Sequence, residues 1–213
     1  MSDSDTPPGS TPDDDRLTAG WIAAARRFDS PNFDARPEDC VPELLVIHAI
    51  SLPVGRFTTD MQDNHVADLF LNQLDIDAHP DFVTLKGMRV SAHFFIPRDG
   101  TLCQFVSVDR RAWHAGVSEW WGRPRCNDFS IGIELEGSDH VPFEPAQYDT
   151  LAKLTGLLIR HFPIRDIVGH QHIAPGRKTD PGPFFDWKMF RSSLNQHFPL
   201  VLANAAIRFP ADR

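Results

Sequence analysis

Cysteine is scarce in this sequence, and the few cysteines form no recognisable pattern. Only three occur among 213 residues, and they lie far apart, at Cys40, Cys103 and Cys126. An odd number of cysteines without a C-x-x-C pair predicts neither a disulfide framework nor a cysteine zinc cluster. We therefore expect the protein to work in a reducing compartment.

Excess positive charge and long apolar runs are also missing. Lys and Arg number 21 against 29 Asp and Glu, which gives a formal net charge of −8. This balance argues against nucleic acid or an anionic membrane surface as a non-specific partner. No window approaches the ~20 apolar residues of a membrane-spanning helix. The acidic start, rich in proline and serine, lacks the basic and apolar regions of a secretory signal. Together these absences predict a cytoplasmic protein.

The length of the chain predicts one domain with a tail at each end. Residues 1–16 are acidic and proline-rich, and they contain too little apolar surface to offset the entropy of ordering. We expect them to be disordered, a folded domain to span 17–202, and residues 203–213 to form a C-terminal tail. Strand-like segments interleaved with helical ones predict an α/β fold with a central mixed β-sheet flanked by helices.

Several segments carry the periodicity of sheet or helix. The continuous apolar run at 44–50 predicts a central strand covered on both faces. Asp99-Gly100 between the apolar runs 90–97 and 101–106 predicts an antiparallel hairpin. A third apolar run, at 164–168, predicts a strand that ends close to His170. Apolar residues at helical spacing predict helices at 63–74, 145–162 and 186–198, and the proline-rich stretch 27–42 predicts an irregular connection.

The segment 129–136 alternates strictly between apolar and polar residues. Its polar face carries Ser130, Gly132, Glu134 and Glu136. Two interpretations are open. This face is either the solvent side of an edge strand or the floor of a cavity, in which Gly132 leaves space and Glu134 points inward.

The stretch 167–182 concentrates candidate metal ligands. His170, His172 and Asp180 lie within eleven residues, with Lys178 beside them. A catalytic zinc needs about three protein ligands and one open position, so a partner from elsewhere is needed. His48 interrupts the apolar run 44–50 and is a candidate, although a lone histidine there is equally compatible with a core residue bonded to a backbone carbonyl. In α/β sheets ligands gather at strand ends, but with ten histidines spacing alone leaves the metal site open.

The sequence resembles the zinc N-acetylmuramoyl-L-alanine amidases, and within them the cytosolic peptidoglycan-recycling branch that acts on 1,6-anhydro-N-acetylmuramyl substrates. Six blocks carry the resemblance in one order between about Trp21 and Phe190. They are L-V-I-H (45–48), S-A-H-F-F-I (91–96), W-H-A-G (113–116), N-D-F-S-I-G-I-E-L-E-G (127–137), G-H (169–170) and K-T-D-P-G-P-F-F-D-W (178–187).

The resemblance implies a fold of the peptidoglycan-recognition type and a Zn²⁺ ion bound by His48, His170 and Asp180. Matching the same blocks, Glu134 is the catalytic glutamate and Lys178 the catalytic lysine. The implied reaction is hydrolysis of the amide between the muramyl lactyl group and L-alanine, with an anhydromuropeptide as substrate. The recycling branch usually carries an asparagine after the first zinc histidine, whereas this chain has Ala49, which places one substrate contact in question.

Substrate contacts follow from the chemistry of a sugar-peptide that bears carboxylates. Arg89 is a candidate for pairing with a stem-peptide carboxylate and Trp113 for packing on sugar or peptide. A surface salt bridge and a core tryptophan are the respective alternatives. His93 and His114 are expected to shape the pocket or orient a ligand rather than to bind metal.

Three other functions compete with this interpretation. A wall amidase acting on polymeric peptidoglycan would need an export signal, a wall-binding module or a basic surface. A catalytically inactive peptidoglycan-binding module would lack part of the ligand set. A cysteine hydrolase built on Cys126 and His114 would be insensitive to chelators. We expect a monomer that binds neither nucleic acid nor membrane.

Overall fold

A computed structural model describes residues 16–200 and 207–210, and these residues form twelve strands, four α-helices and two short 3-10 helices, Pro80–Leu85 and Cys126–Asp128. The strands are β1 (Leu17–Thr18), β2 (Trp21–Ile22), β3 (Arg26–Arg27), β4 (Phe33–Ala35), β5 (Leu44–Ile50), β6 (Phe94–Ile96), β7 (Cys103–Gln104), β8 (Arg110–Ala112), β9 (Glu119–Trp120), β10 (Arg123–Pro124), β11 (Ser130–Glu136) and β12 (Asp166–Gly169). The helices are α1 (His65–Phe70), α2 (Pro145–His161), α3 (His170–Ile173) and α4 (Trp187–His197).

Six of the strands form the main sheet, in the order β12-β5-β11-β6-β7-β3. The first four are parallel, and β6 and β7 are antiparallel. The predicted α/β fold with a central mixed sheet is therefore confirmed. Strand β5 is continuously apolar because it lies inside the sheet with its residues 44–48 buried. The predicted hairpin is present too, with Phe94 opposite Gln104.

Strand β11 decides between the two interpretations of its alternating pattern. It lies between β5 and β6, so its polar face is not the solvent side of an edge strand. Ile131, Ile133 and Leu135 are fully buried and pack in the main core with helix α2. On the other face Ser130 is fully buried and Glu134 half-buried, which agrees with the interpretation of this face as the floor of a cavity.

The helices keep their predicted places with different lengths. Helix α1 is much shorter than the predicted 63–74, because the Asn64 side chain caps it by accepting bonds from the next turn and Asn72 adopts a left-handed conformation with φ 60°. Helices α2 and α4 lie within one residue of the predicted ends. The prediction of an irregular connection at 27–42 is wrong in part, because this stretch contains β4, which pairs with β8.

The chain ends are described only in part. The predicted disordered tail 1–16 lies outside the described residues except for Arg16, and the predicted C-terminal tail is described only at 207–210. There Ile207 and Phe209 belong to the buried core, and Arg208 bridges to Asp166 of β12. Within the described ranges, no helix is both long and apolar enough to cross a membrane.

A largely buried arginine joins the segments that lead into β8 and β11. The Arg36 guanidinium donates to the carbonyl oxygens of Val108, Asn127, Asp128 and Ser130 at 2.8–3.3 Å. Burial lowers the pKa of Arg36 to about 10, yet the group stays charged at neutral pH. Its position is fixed by these backbone carbonyls, and the His93 ring lies against the same guanidinium, with Nε2 3.2 Å from it.

We predict that Arg36→Met destabilises the protein strongly. The substitution leaves several buried carbonyls without a donor, and such groups cost about 1–3 kcal/mol each when unsatisfied, so we expect a loss of about 2–4 kcal/mol. Urea unfolding of the full chain measures it. Arg89→Met is the matched control, because Arg89 is exposed; equal midpoints for the two variants would contradict the assigned role of Arg36.

Candidate metal centre

The site forms where three parallel strands end at one edge of the sheet. Strands β5 and β11 pair in register with His48 beside Glu134, and neighbours in register on adjacent strands project from the same face. Strand β12 pairs with the other side of β5 and ends at Gly169, opposite Ile47. His170 follows at once and begins α3, so the predicted strand-end histidine is the first residue of a short helix.

Three side chains converge on one point. The Nδ1 atom of His48 lies 3.0 Å from Nδ1 of His170 and 3.0 Å from Oδ2 of Asp180. The His170 Nδ1 to Asp180 Oδ2 distance is 3.1 Å. Both histidines are buried, and the three residues form a group that can hold a metal ion. Two imidazole nitrogens and one carboxylate oxygen match the donor set of a catalytic metal centre with an open position.

The electrostatics of the group suit a cation. Burial and the neighbouring His170 lower the pKa of His48 to about 4, so its imidazole is neutral at pH 7, as ligation requires. Burial raises the pKa of Asp180, but hydrogen bonds from His170 and His48 outweigh it and the pKa lies well below its usual range. The site therefore presents an ionised carboxylate beside a neutral His48 ring.

Glu134 adds a second carboxylate that is not part of this group. Its Oε1 atom lies 3.9 Å from His48 Nδ1, and its buried Oε2 atom has no hydrogen-bond partner among the described residues. Burial and the negative charge of Asp180 raise the pKa of Glu134 well above its usual value, against the opposing effect of Lys178. A carboxylate whose proton affinity is raised in this way suits proton transfer near neutral pH.

A cleft of about 270 Å³ opens beside these residues. One end is apolar, and the other carries the charged and imidazole groups. The apolar lining includes Ile50, Leu52, Leu69, Phe70, Leu85 and Met88, and the polar end includes His114, Glu134, His170, Lys178 and Asp180. A second, more polar cleft of about 330 Å³ shares Lys178 and Asp180 and continues to Ser138, Asp139 and Thr179.

The two predicted substrate contacts lie outside the main cleft. Arg89 is exposed and lines a neighbouring cavity of about 130 Å³. The Trp113 side chain hydrogen-bonds to Asp34, where it helps to lower the pKa of that carboxyl after the larger effect of Arg111 and against burial. Neither residue is among those that line the central cleft, so their roles stay predictions.

The proposed cysteine nucleophile has the wrong environment. Cys126 is fully buried, and burial raises the pKa of its thiol to about 11. The thiolate, which is the reactive form, is therefore rare at neutral pH. This disfavours the alternative of a cysteine hydrolase built on Cys126.

The structure also reveals supporting residues that the sequence did not single out. Asn127 Oδ1 accepts bonds from the backbone N–H groups of His114 and Ala115 at 3.2 and 2.8 Å. Arg177 donates to the carbonyl oxygens of Ala115 and Val117. Both residues fix the loop 113–117 against the metal centre. Their place in the sequence was the only indication of this role. Asn127 is the first residue of the block that leads into β11, and Arg177 directly precedes Lys178.

Comparison with known proteins identifies the family. Residues 38–183 match the N-acetylmuramoyl-L-alanine amidase family. A curated relative from Citrobacter freundii, named 1,6-anhydro-N-acetylmuramyl-L-alanine amidase AmpD, is 53% identical over 178 residues, covering 83% of this chain and 93% of the relative.

Two solved structures extend the comparison. The crystal structure of a selenomethionine derivative of AmpD superposes with a TM-score of 0.80 at 52% identity, covering 84% of this chain and 99% of that one. The amidase AmiD from E. coli, solved with anhydro-N-acetylmuramic acid-L-Ala-D-γ-Glu-L-Lys, gives a TM-score of 0.52 at 32% identity, covering 74% of this chain and 60% of that one.

Proposed function

Because the chain belongs to the N-acetylmuramoyl-L-alanine amidase family, we propose that it is a zinc-dependent amidase acting on 1,6-anhydromuropeptides. It hydrolyses the amide between the muramyl lactyl group and L-alanine, in the cytoplasm, as a step of peptidoglycan recycling. The observation that carries the proposal is the convergence of His48, His170 and Asp180 beside an unpartnered Glu134 oxygen. The names of the relatives support the anhydromuropeptide as substrate.

The metal is assigned to the three converging donor atoms. His48 and His170 would each use Nδ1, and Asp180 would use Oδ2, since these atoms face one another. Zinc fits this set of two nitrogens and one carboxylate oxygen better than magnesium or calcium, which prefer oxygen ligands. When bound, zinc supplies Lewis acidity, which polarises a carbonyl and lowers the pKa of water.

Glu134 is the proposed general base and acid. Glu134 lines the main cleft together with His170 and Asp180, where an attacking water and a scissile carbonyl would meet, and its buried Oε2 atom has no hydrogen-bond partner among the described residues. It takes a proton from the water and returns it to the leaving amine. A raised pKa makes the carboxylate a stronger base toward the water and lets the group hold the proton until the leaving amine takes it.

Lys178 supplies positive charge at the same end of the cleft. Its side chain lines both clefts, next to Asp180. A negative charge develops on the carbonyl oxygen only as water adds, so an ammonium group there stabilises the transition state more than the ground state. The Lys178 charge therefore lowers the barrier rather than tightening substrate binding alone.

The two clefts suit a substrate with a sugar and a charged peptide. The apolar half of the main cleft offers a surface for the carbon skeleton of the sugar, and the polar cleft offers donors and acceptors for a peptide. The cavity that Arg89 lines adjoins the main cleft, because Leu69, Leu85 and Met88 line both. We keep Arg89 as a proposed carboxylate contact and Trp113 as a proposed packing contact.

The first prediction concerns the metal. The purified protein should contain about one zinc per chain, lose amidase activity on chelation and regain it when zinc is added. His48→Ala or Asp180→Ala should abolish activity and zinc content together, because two remaining ligands hold the ion poorly. His65→Ala is the control, since His65 is not part of this group. Full activity in demonstrably metal-free protein would contradict the proposal.

The second prediction separates metal binding from proton transfer. Glu134→Gln should keep zinc and lower kcat by about 10²–10⁴, because the isosteric amide cannot act as a base. Lys178→Met should also keep zinc and lower kcat with a smaller effect on KM. Zinc content is measured beside kcat and KM for each variant. Near wild-type kcat in Glu134→Gln, or zinc loss in proportion to activity, would refute the role of Glu134.

The third prediction concerns the substrate. Soluble anhydromuropeptides should be cleaved much faster than intact sacculi at matched concentrations of the scissile bond, with product masses equal to the free peptide and the free anhydro sugar. The reason is that a recycling enzyme meets only soluble turnover fragments. Comparable rates on both substrates would instead favour the wall-amidase alternative, and no cleavage of either would favour an inactive binding module.

A further inference from the structure

The loop 113–117 contacts both histidines of the candidate metal centre at Nε2, the ring nitrogen opposite the converging Nδ1 atoms. The Nε2 atom of His48 lies 2.9 Å from Nδ1 of His114, and the Nε2 atom of His170 lies 3.1 Å from the carbonyl oxygen of Ala115. His114 and Ala115, which are consecutive in this loop, therefore contact the Nε2 atoms of His48 and His170 respectively. The shorter of the His170 Nε2 contacts favours a protonated Nε2, because the Ala115 carbonyl can only accept; the Arg177 guanidinium lies 3.5 Å from the same nitrogen.

His48 faces a nitrogen that can either donate or accept, so the tautomer of His48 depends on which nitrogen of His114 carries the proton. His114 continues through its own Nε2 atom to the buried Ser130 Oγ, at 3.1 Å. Within 16–200 and 207–210, no backbone carbonyl contacts this His48 nitrogen, unlike that of His170. The sequence of contacts runs from His48 through His114 to Ser130, and we name it the His48–His114–Ser130 relay.

We propose that His114 is a positioning residue, which together with Ser130 holds His48 in the tautomer that leaves Nδ1 free for the metal. The inference rests on the metal centre proposed above. A neutral imidazole carries one proton, so a His48 that binds through Nδ1 must be protonated at Nε2. That proton can be donated only if His114 Nδ1 is an acceptor, and the single proton of a neutral His114 then lies on Nε2, directed at Ser130.

The packing around His114 supports a fixed ring. Gly132 of β11 leaves the space for it, since a Cβ at this position would come within 2.4 Å of the His114 ring. The ring also lies edge to face with His48 and His93 at centroid distances of 5.0 and 5.7 Å. A second positive charge among these buried rings, next to a bound cation, would be strongly unfavourable, so His114 acts as a neutral relay.

His93 provides a natural comparison within the same cluster. Its Nδ1 accepts a bond from Gly132 N–H at 3.0 Å and its Nε2 donates to the Arg110 carbonyl at 3.0 Å. Its described hydrogen bonds reach no member of the metal group. A role in packing alone would make His93 and His114 equivalent, whereas the relay makes only His114 matter for the metal.

The test compares zinc affinity across variants of the full-length protein, measured by competition with a chelator. His114→Phe keeps an aromatic ring but removes the acceptor, and it should weaken zinc binding by roughly 10–100-fold. His114→Asn places an amide oxygen near the original Nδ1 and should recover most of that loss. Ser130→Ala should lose less affinity than His114→Phe. His93→Phe is the control and should bind zinc like the wild type despite a lower melting temperature of the metal-free protein.

A spectroscopic measurement on the wild type does not depend on how the variants fold. In ¹H–¹⁵N spectra of the zinc-loaded protein, the imidazoles of His48 and His114 should both be protonated at Nε2, and His114 should be unprotonated at Nδ1. A proton on His114 Nδ1 would overturn the relay. So would wild-type zinc affinity in His114→Phe, or equal losses in His114→Phe, His114→Asn and His93→Phe. A wild-type protein that binds no zinc contradicts the proposed metal centre itself.

Discussion

The site depends on the parallel, in-register pairing of β5 with its two neighbours. Pairing with β11 sets His48 beside Glu134, and pairing with β12 ends opposite Ile47, which delivers His170 to the same edge. A slip of one residue in either pair would turn a ligand into the core. Asp180 is then returned to this edge by a backbone bond, in which Gln171 N–H donates to the Asp180 carbonyl at 2.9 Å. Local sequence thus supplies the ligands, and strand register brings them together.

Placing imidazoles and carboxylates inside the fold is unfavourable unless their polar atoms have partners. The structure meets this condition at the ring nitrogens of His48, His114 and His170, each of which contacts another side chain or a carbonyl. The exception is the buried Oε2 atom of Glu134. A site that satisfies its rings and leaves one carboxylate oxygen unpartnered is stable enough to be preorganised, yet keeps one strong acceptor for a reactant. This contrast is the physical basis for assigning proton transfer to Glu134.

Elements with a strong apolar periodicity could be predicted from the sequence. Features that depend on particular capping residues or on contacts between distant residues could not. The apolar run of β5 and the alternation of β11 led to two interior strands, and the spacing in α2 led to its helix. The length of α1 was not predictable from spacing, because a capping Asn64 and a left-handed Asn72 override the apolar pattern. Arg36 illustrates the same limit more strongly, since its acceptors lie 72 to 94 residues away in sequence.

The candidate site shows the same division. His48, His170, Asp180, Glu134 and Lys178 were named from the resemblance of short blocks. The last four line one cleft, and His48 lies behind it in contact with His170 and Asp180. The contact between His114 and His48 could not be inferred in this way. It joins residues 66 positions apart, and it exists because Gly132, on a different strand, leaves room for the ring. The missing side chain of Gly132 therefore determines where the His114 ring can lie. A local sequence pattern does not predict such a relation between distant residues.

Ala49, which stands where the resemblance leads us to expect an asparagine, alters the wall of the site rather than its proposed reacting groups. Ala49 lines both clefts, so an asparagine there would offer a hydrogen bond to substrate that alanine cannot. The described hydrogen bonds of His48, His170 and Asp180 involve no side-chain atom of residue 49. Loss of this one hydrogen bond changes how strongly a substrate is bound. It does not affect the donor atoms of His48, His170 and Asp180 or the unpartnered oxygen of Glu134. The proposed metal centre and the proposed proton acceptor therefore do not depend on the residue at position 49.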